Sequence, residues 1–241
     1  AIVVTGGTIT VDATTTIGND DGQAYVFALE IQGTGSVTIA PSVTFTVKGS
    51  VGFPAGSTGS LFLSKSCIFQ YGATATSAYV TMLGTGGIKC VAGGNAPVLG
   101  QRATYRKLSG SLVVKTLFYA VMDVSYVNFV SIGDVSEPFA YFSNPTGGLC
   151  RFSYCNFDAC GKVVVGNFAS DVTGIYSFIH CTWKNRLHAY DVDWSLAGAM
   201  TSGTRVFSHN VTTQLYWGNA TDLTATGNQI HGIFNSDAAS T

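Results

Sequence analysis

Apolar and polar residues alternate in short runs through the first 95 residues. Ile9-Thr10-Val11, Val37-Thr38-Ile39 and Val43-Thr44-Phe45-Thr46-Val47 all repeat every second residue. Leu61-Phe62-Leu63 and Ile68-Phe69 are shorter apolar runs, and Gly, Ser and Pro separate them all. This pattern predicts short β-strands joined by tight turns. Ala24 to Gln32 reads as a strand rather than a short capping helix. Residues 92–111 are Gly-rich, then polar and basic, and residues 96–111 read as a loop excursion. The apolar run Leu117 to Met122 reads as a buried strand. No apolar stripe of period 3.6 stands out, so long helices are not expected.

From Leu112 onward a longer period appears. Tyr126-Val127-Asn128-Phe129, Tyr154-Cys155-Asn156-Phe157, His180-Cys181-Thr182-Trp183 and Ser208-His209-Asn210-Val211 rhyme at steps of 28, 26 and 28 residues. A repeat of this size is the mark of a solenoid, in which each coil buries its apolar face against its neighbours. The columns follow. Val124, Phe152, Phe178 and Val206 precede the repeat's polar position by four residues, and Phe129, Phe157, Trp183 and Val211 follow it by one. In-register parallel strands set equivalent residues about 4.8 Å apart, so like stacks on like. Asn128, Asn156, Thr182 and Asn210 form the polar column, and an amide there can donate to one coil and accept from the next. Thr182, which lacks the amide, is the expected altered rung. Asp123 lies in phase with Arg151, and Asp158 with Lys184. Each such pair contributes ~0–1 kcal/mol if exposed.

No stretch of Pro, Ser or charge divides the chain. The expected organisation is one domain over residues 1–241: N-terminal coils and cap over 1–95, the excursion over 96–111, and regular coils over 112–241. The fold class expected is all-β, a single-stranded right-handed parallel β-helix with coils of about 22–28 residues.

Composition narrows the function classes. Charged residues are only 10% of the chain and the net charge is −1, which gives no long-range field for nucleic acid or an anionic membrane. Arg102, Arg106 and Lys107 are the nearest thing to a basic patch and read as a solvated loop. No apolar run approaches the roughly 20 residues of a membrane helix. The start at Ala1, with no charged-then-apolar leader, reads as a mature or excised fragment. Six cysteines (67, 90, 150, 155, 160 and 181) are compatible with disulfides, but no Cys-x-x-Cys pair suggests zinc. Cys155 and Cys181 share a column, where parallel Cβ vectors favour stacked thiols over a bridge. Two sequons, at Asn210 and Asn219, matter only in a eukaryotic secretory cell.

Residues 112–232 resemble the coils of right-handed parallel β-helix proteins, a group of pectate lyases, polygalacturonases, phage tailspikes and surface adhesins. The segment Gly35 to Gly49 is similar to the opening coils of secreted members. The resemblance implies fold but not activity, because this fold carries lyases, hydrolases and inert binders alike. It also implies one chemistry to test, clustered aspartates holding calcium beside an Arg or Lys base. Asp191 and Asp193 flank one residue and share a strand face, so they are the calcium candidates. Asp158 or Asp222 would have to supply a third carboxylate, and Lys184 and Arg186 are the candidate bases. The competing reading is a solvated Asp pair on an outer loop. Polygalacturonase signatures do not assemble: Asp20-Asp21 and His231-Gly232 are fragments of them. A glycosidase needs two carboxylates about 5–9 Å apart, and no pair is singled out. Gly-x-Ser-x-Gly is absent, and His180 and His209 read as residues that pack or cap coils.

Tyr190, Trp194, Tyr216 and Trp217 lie between the rhyming segments and are the candidate ligand-binding residues, offering flat faces to sugar rings. Ordinary packing over the coils is the alternative. The leading expectation is a non-catalytic extracellular, cell-surface or virion β-helix that is structural or adhesive and contacts polysaccharide. No cofactor is expected unless calcium is used. A polysaccharide lyase or hydrolase is the second reading. A purely architectural tailspike or surface-fibre segment, as a homo-trimer, is the third.

Overall fold

The computed structural model describes the chain except residues 19–26, 118–120, 137, 143–148, 166–174, 186, 188–190, 194–203, 213–214, 217–222 and 231–241. The side chains of 115–117, 141–142, 165, 204–205, 215–216, 223–226 and 230 also lie outside that description. The architecture is a parallel β-solenoid. Three sheets of nine strands each run its length, and every described coil visits the first, second and third sheet in turn. Among the described residues the only helix is the 3-10 turn Gly93–Asn95. The alternating runs of the N-terminal region are strands Thr8–Val11, Ser36–Ile39, Thr44–Lys48, Ser60–Leu63 and Ile68–Gly72, and Phe27–Ile31 is likewise a strand.

Two sequence expectations need correction. The 96–111 excursion contains a strand, Ala103–Lys107, which pairs with both neighbours in the third sheet. The apolar run Leu117 to Met122 is not one strand. Leu117 ends Val114–Leu117 in the first sheet, and Met122 opens Met122–Ser125 in the second.

Alternation points every second side chain into the coil, and those side chains stack in register. Among the described residues the third sheet carries the longest aromatic column. Phe45, Phe69, Tyr105, Phe129, Phe157 and Trp183 occupy one register position on successive coils. Their ring centroids are 6.1, 5.2, 5.5, 5.0 and 4.7 Å apart, and the last pair is within 4° of parallel. The second sheet adds Phe152 on Phe178 at 5.1 Å and Phe178 on Phe207 at 6.2 Å. The corner between the first and second sheets is built by close backbone approach. A Cβ at Gly59 would sit 1.7 Å from the Gly35 carbonyl oxygen, so only glycine fits there.

The corner from the second to the third sheet has a strict conformation. Ser42, Ser66, Tyr126, Tyr154, His180 and His209 turn it at φ of 61, 55, 55, 55, 54 and 55°. This left-handed conformation costs an L-residue about 1–2 kcal/mol, and stacked backbone bonds offset it. The N–H of Tyr126, Tyr154 and His180 donates to Ser153, Ile179 and Ser208 of the next coil at 3.0, 2.9 and 3.1 Å. The residue after the bend points inward, and on the later coils it caps a carbonyl of the previous coil. Cys155 and Cys181 offer their thiols to Val124 and Phe152 at 3.8 and 3.5 Å. Asn210 and Asn228 donate amide N–H to Phe178 and Phe207 at 2.9 and 2.7 Å. A thiol and an amide thus do the same work in one column.

This corrects the placement of Asn210. Thr182 pairs with Val211 and Phe178 with Phe207, one residue later than the rhyme suggests. The ladder of Asn128, Asn156 and Thr182 therefore ends at Thr182 and runs on the outer face, with Asn156 Nδ2 donating to Asn128 Oδ1 at 2.9 Å. Asn210 is fully buried one column inward, and its Oδ1 accepts from the Cys181 N–H at 2.8 Å. Burial of Phe207 rather than Val206 makes the physical choice, since slipping by one residue would turn the ring outward.

All six cysteines are free, and all but Cys90 are buried. Desolvation pushes the thiols of Cys67, Cys90 and Cys160 up to about 12, and lifts those of Cys150 and Cys155 well above their ordinary value. The protonated form that donates to a carbonyl is the one burial favours.

Asn210→Ala should lose about 2–4 kcal/mol in chemical denaturation, because it strands a buried carbonyl and a buried N–H. Asn156→Ala should lose under about 1 kcal/mol, since water replaces the outer amide. Raising pH from 9 toward 12 should lower the melting temperature. Unfolded thiols ionise near 9 while the folded ones, raised to about 12, do not, so the stabilisation present below that window is lost through it. A melting temperature flat across that range would contradict the assignment.

Candidate functional site

Asp191 and Asp193 are buried, not solvated, and sit at the strand Val192–Asp193 of the first sheet. The Asp193 carboxylate pairs with Lys162 at 2.7 Å, and Asp191 Oδ2 accepts from the Thr212 hydroxyl at 2.5 Å. The candidate base Lys184 stands on the third sheet instead, paired with Asp158 at 2.9 Å. Donation from Lys184 and then from Asn185 holds the Asp158 carboxyl below its ordinary range. Both in-phase ion pairs read from the sequence are present, Asp123 with Arg151 at 2.5 Å being the other. Arg186, Asp222, Tyr190, Trp194 and Trp217 lie outside the described residues. Tyr216 is opposite Asp193 in the first sheet, and its side chain is outside the description. Among the described residues no three His, Cys, Asp or Glu side chains converge as metal ligands.

Among the described residues, the outer face of the third sheet carries ordered rows of accessible polar and aromatic groups. Its first row stands on the left-handed corners. Tyr126 and Tyr154 stack at 4.8 Å and 3°, Tyr154 and His180 at 4.6 Å and 12°, and His180 and His209 at 5.0 Å and 33°. Arg102 closes one end, its guanidinium 5.5 Å from the Tyr126 ring centre and donating to the Tyr154 carbonyl. Tyr154, His180 and His209 are exposed and Tyr126 is half-buried. Ser208 Oγ and His209 Nδ1 lie within hydrogen-bonding distance at 2.7 Å. Because each ring covers the next, the row presents edges: phenol hydroxyls and imidazole nitrogens rather than open ring faces.

Two further rows run beside it. Thr104, Asn128, Asn156 and Thr182 form the second, half-buried throughout. Thr46, Gln70, Arg106, Val130, Asp158 and Lys184 form the third. Within it Gln70 Nε2 donates to Thr46 Oγ1 at 2.8 Å, and Gln70 Oε1 accepts from Arg106 Nε at 2.9 Å. The turn after Lys107 walls this row with a groove of about 530 Å³.

Sequence reasoning missed this face for one reason. With Asn210 in the ladder, His209 falls in phase with Cys181 and reads as interior. The observed register puts His209 over His180, and Tyr126, Tyr154, His180 and His209 become one outward column. The signal was present: aligning Phe207 with Phe178 restores aromatic identity in both columns. Cys155, Cys181 and Trp183 remain interior, as the repeat predicts.

Fold and face together define a β-solenoid with one ordered polar and aromatic surface. No protein-family model, curated protein or solved structure matches the chain.

Lys162→Met should destabilise the protein by about 3 kcal/mol at neutral pH, since it removes the ammonium that pairs with the buried Asp193 carboxylate. Replacing both partners by apolar residues should recover most of that loss in the same denaturation measurement.

Proposed function

We propose that this chain is a non-catalytic, extracellular or virion-surface β-helix that contacts polysaccharide through the outer face of its third sheet. The observation that carries the reading is the set of three parallel rows, of ring edges, of amides and hydroxyls, and of Gln, Arg and Lys side chains. Their groups repeat at the coil spacing of about 4.8 Å on a rigid scaffold. An extended sugar chain offers hydroxyls at regular intervals, and a pre-ordered platform lowers the entropy of meeting them. Recognition here rests on hydrogen bonds from Tyr, His, Asn and Thr, because the stacked rings have no free faces for sugar. The low charge and the burial of every cysteine but Cys90 suit a protein outside the cell, where exposed thiols would oxidise.

The lyase reading draws less support. It needs Asp191 and Asp193 open to a cation, and both are buried, one of them neutralised by Lys162.

Wild-type protein on a glycan array should retain extended polysaccharides. Tyr154→Ala and His180→Ala should each weaken that binding about 3- to 10-fold, the worth of one or two net hydrogen bonds. Binding unchanged in a variant lacking both side chains would refute the assignment to this face, as would an array with no retained glycan.

A further inference from the structure

Arg106 and Lys107 end the strand Ala103–Lys107 and line the groove of about 530 Å³ with Gln70, Leu108, Ser109, Gly110, Val130 and Ser131. The ion pairs of the described residues use Arg151, Lys162 and Lys184, and neither Arg106 nor Lys107 meets a carboxylate among them. Arg106 is nevertheless held in place. Gln70 is oriented by its donation to Thr46 and accepts from Arg106 Nε, so the guanidinium that lines the groove is braced through one of its three nitrogens. The next side chain along the row is Val130, and the first carboxylate beyond it, Asp158, is already held by Lys184. Ser109 and Ser131 add a hydroxyl-bearing side chain each to the lining. A braced guanidinium, an ammonium and two hydroxyls around one cavity match an oxyanion, since the guanidinium fork accepts two oxygens at once.

We propose that this groove binds an oxyanion carried on a sugar chain, a uronate carboxylate or a sulfate ester. The identity of the carrier rests on the polysaccharide reading above, while the oxyanion site itself does not. The cations are the end of one strand fixed between two coils, which corrects their reading as a solvated loop.

The test measures affinity of the intact chain for dextran sulfate, polygalacturonate and neutral dextran, for wild type and for Arg106→Gln/Lys107→Gln. Wild type should bind one or both charged polymers at least tenfold tighter than dextran, less so as salt rises, and the sulfate and uronate arms identify which group is taken. The double variant should lose that preference while keeping the wild-type melting temperature. Equal affinity for charged and neutral chains, or a preference that survives the substitutions, would overturn the proposal. Should the double variant unfold, Arg106→Lys decides instead: it keeps the charge but loses the fork, and affinity for the charged polymer equal to wild type would count against the site. If no polysaccharide binds at all, the polysaccharide reading fails and titration with inorganic sulfate judges the groove. Amide shifts at Ser109, Gly110 and Ser131 that vanish in the variant would uphold the oxyanion site, and their absence would overturn it.

Discussion

Six of the described coils turn from the second sheet into the third through a non-glycine residue at left-handed φ, and much of the structure depends on that corner. The conformation is unfavourable for tyrosine or histidine in isolation. It persists because the same residue on the next coil adopts it too, so the corner N–H finds a carbonyl one coil away. Such corners stabilise one another, and a coil that failed to make one would leave its neighbours' polar groups unpaired.

The corner also sorts side chains. At the bend residue the side chain leaves the solenoid, and one position later it enters. Tyr126, Tyr154, His180 and His209 are therefore outside and stacked, while Cys155, Cys181, Asn210 and Asn228 are inside and capping. The inner aromatic column gives the solenoid its packed centre and the outer one gives it an ordered edge. Both arise from the spacing of parallel coils. The outer face consequently repeats at the same coil spacing as the core.

Much of this was legible in the linear pattern. Period-two runs located the N-terminal strands, the long repeat predicted a solenoid, and Asn128 with Asn156, Asp123 with Arg151 and Asp158 with Lys184 were all placed in contact correctly. The failures share a cause. Asn210 rhymes with Asn156, but one additional residue in the preceding excursion shifts the register, and burial of Phe207 decides it. Identity of residue type misled where the side chain's direction mattered. The strand within residues 96–111 was hidden for a related reason: Ala103 and Tyr105 face inward, while the basic residues between and after them read as loop.

The sequence by itself determined the class of fold, because apolar side chains recurring at strand and coil periods can be buried together only by stacking coils. It also determined that the net charge is only −1, so no long-range field surrounds the protein. The tertiary structure alone decided which polar residues are available. Asp191 and Asp193 look like an exposed pair and are buried, one held by a lysine 31 residues away in the chain. His180 and His209 look like packing residues and stand exposed on one edge. Arg106 acquires its glutamine brace from a strand 36 residues earlier. Such partnerships depend on register between coils, and register is set by the sum of all buried contacts rather than by any one segment.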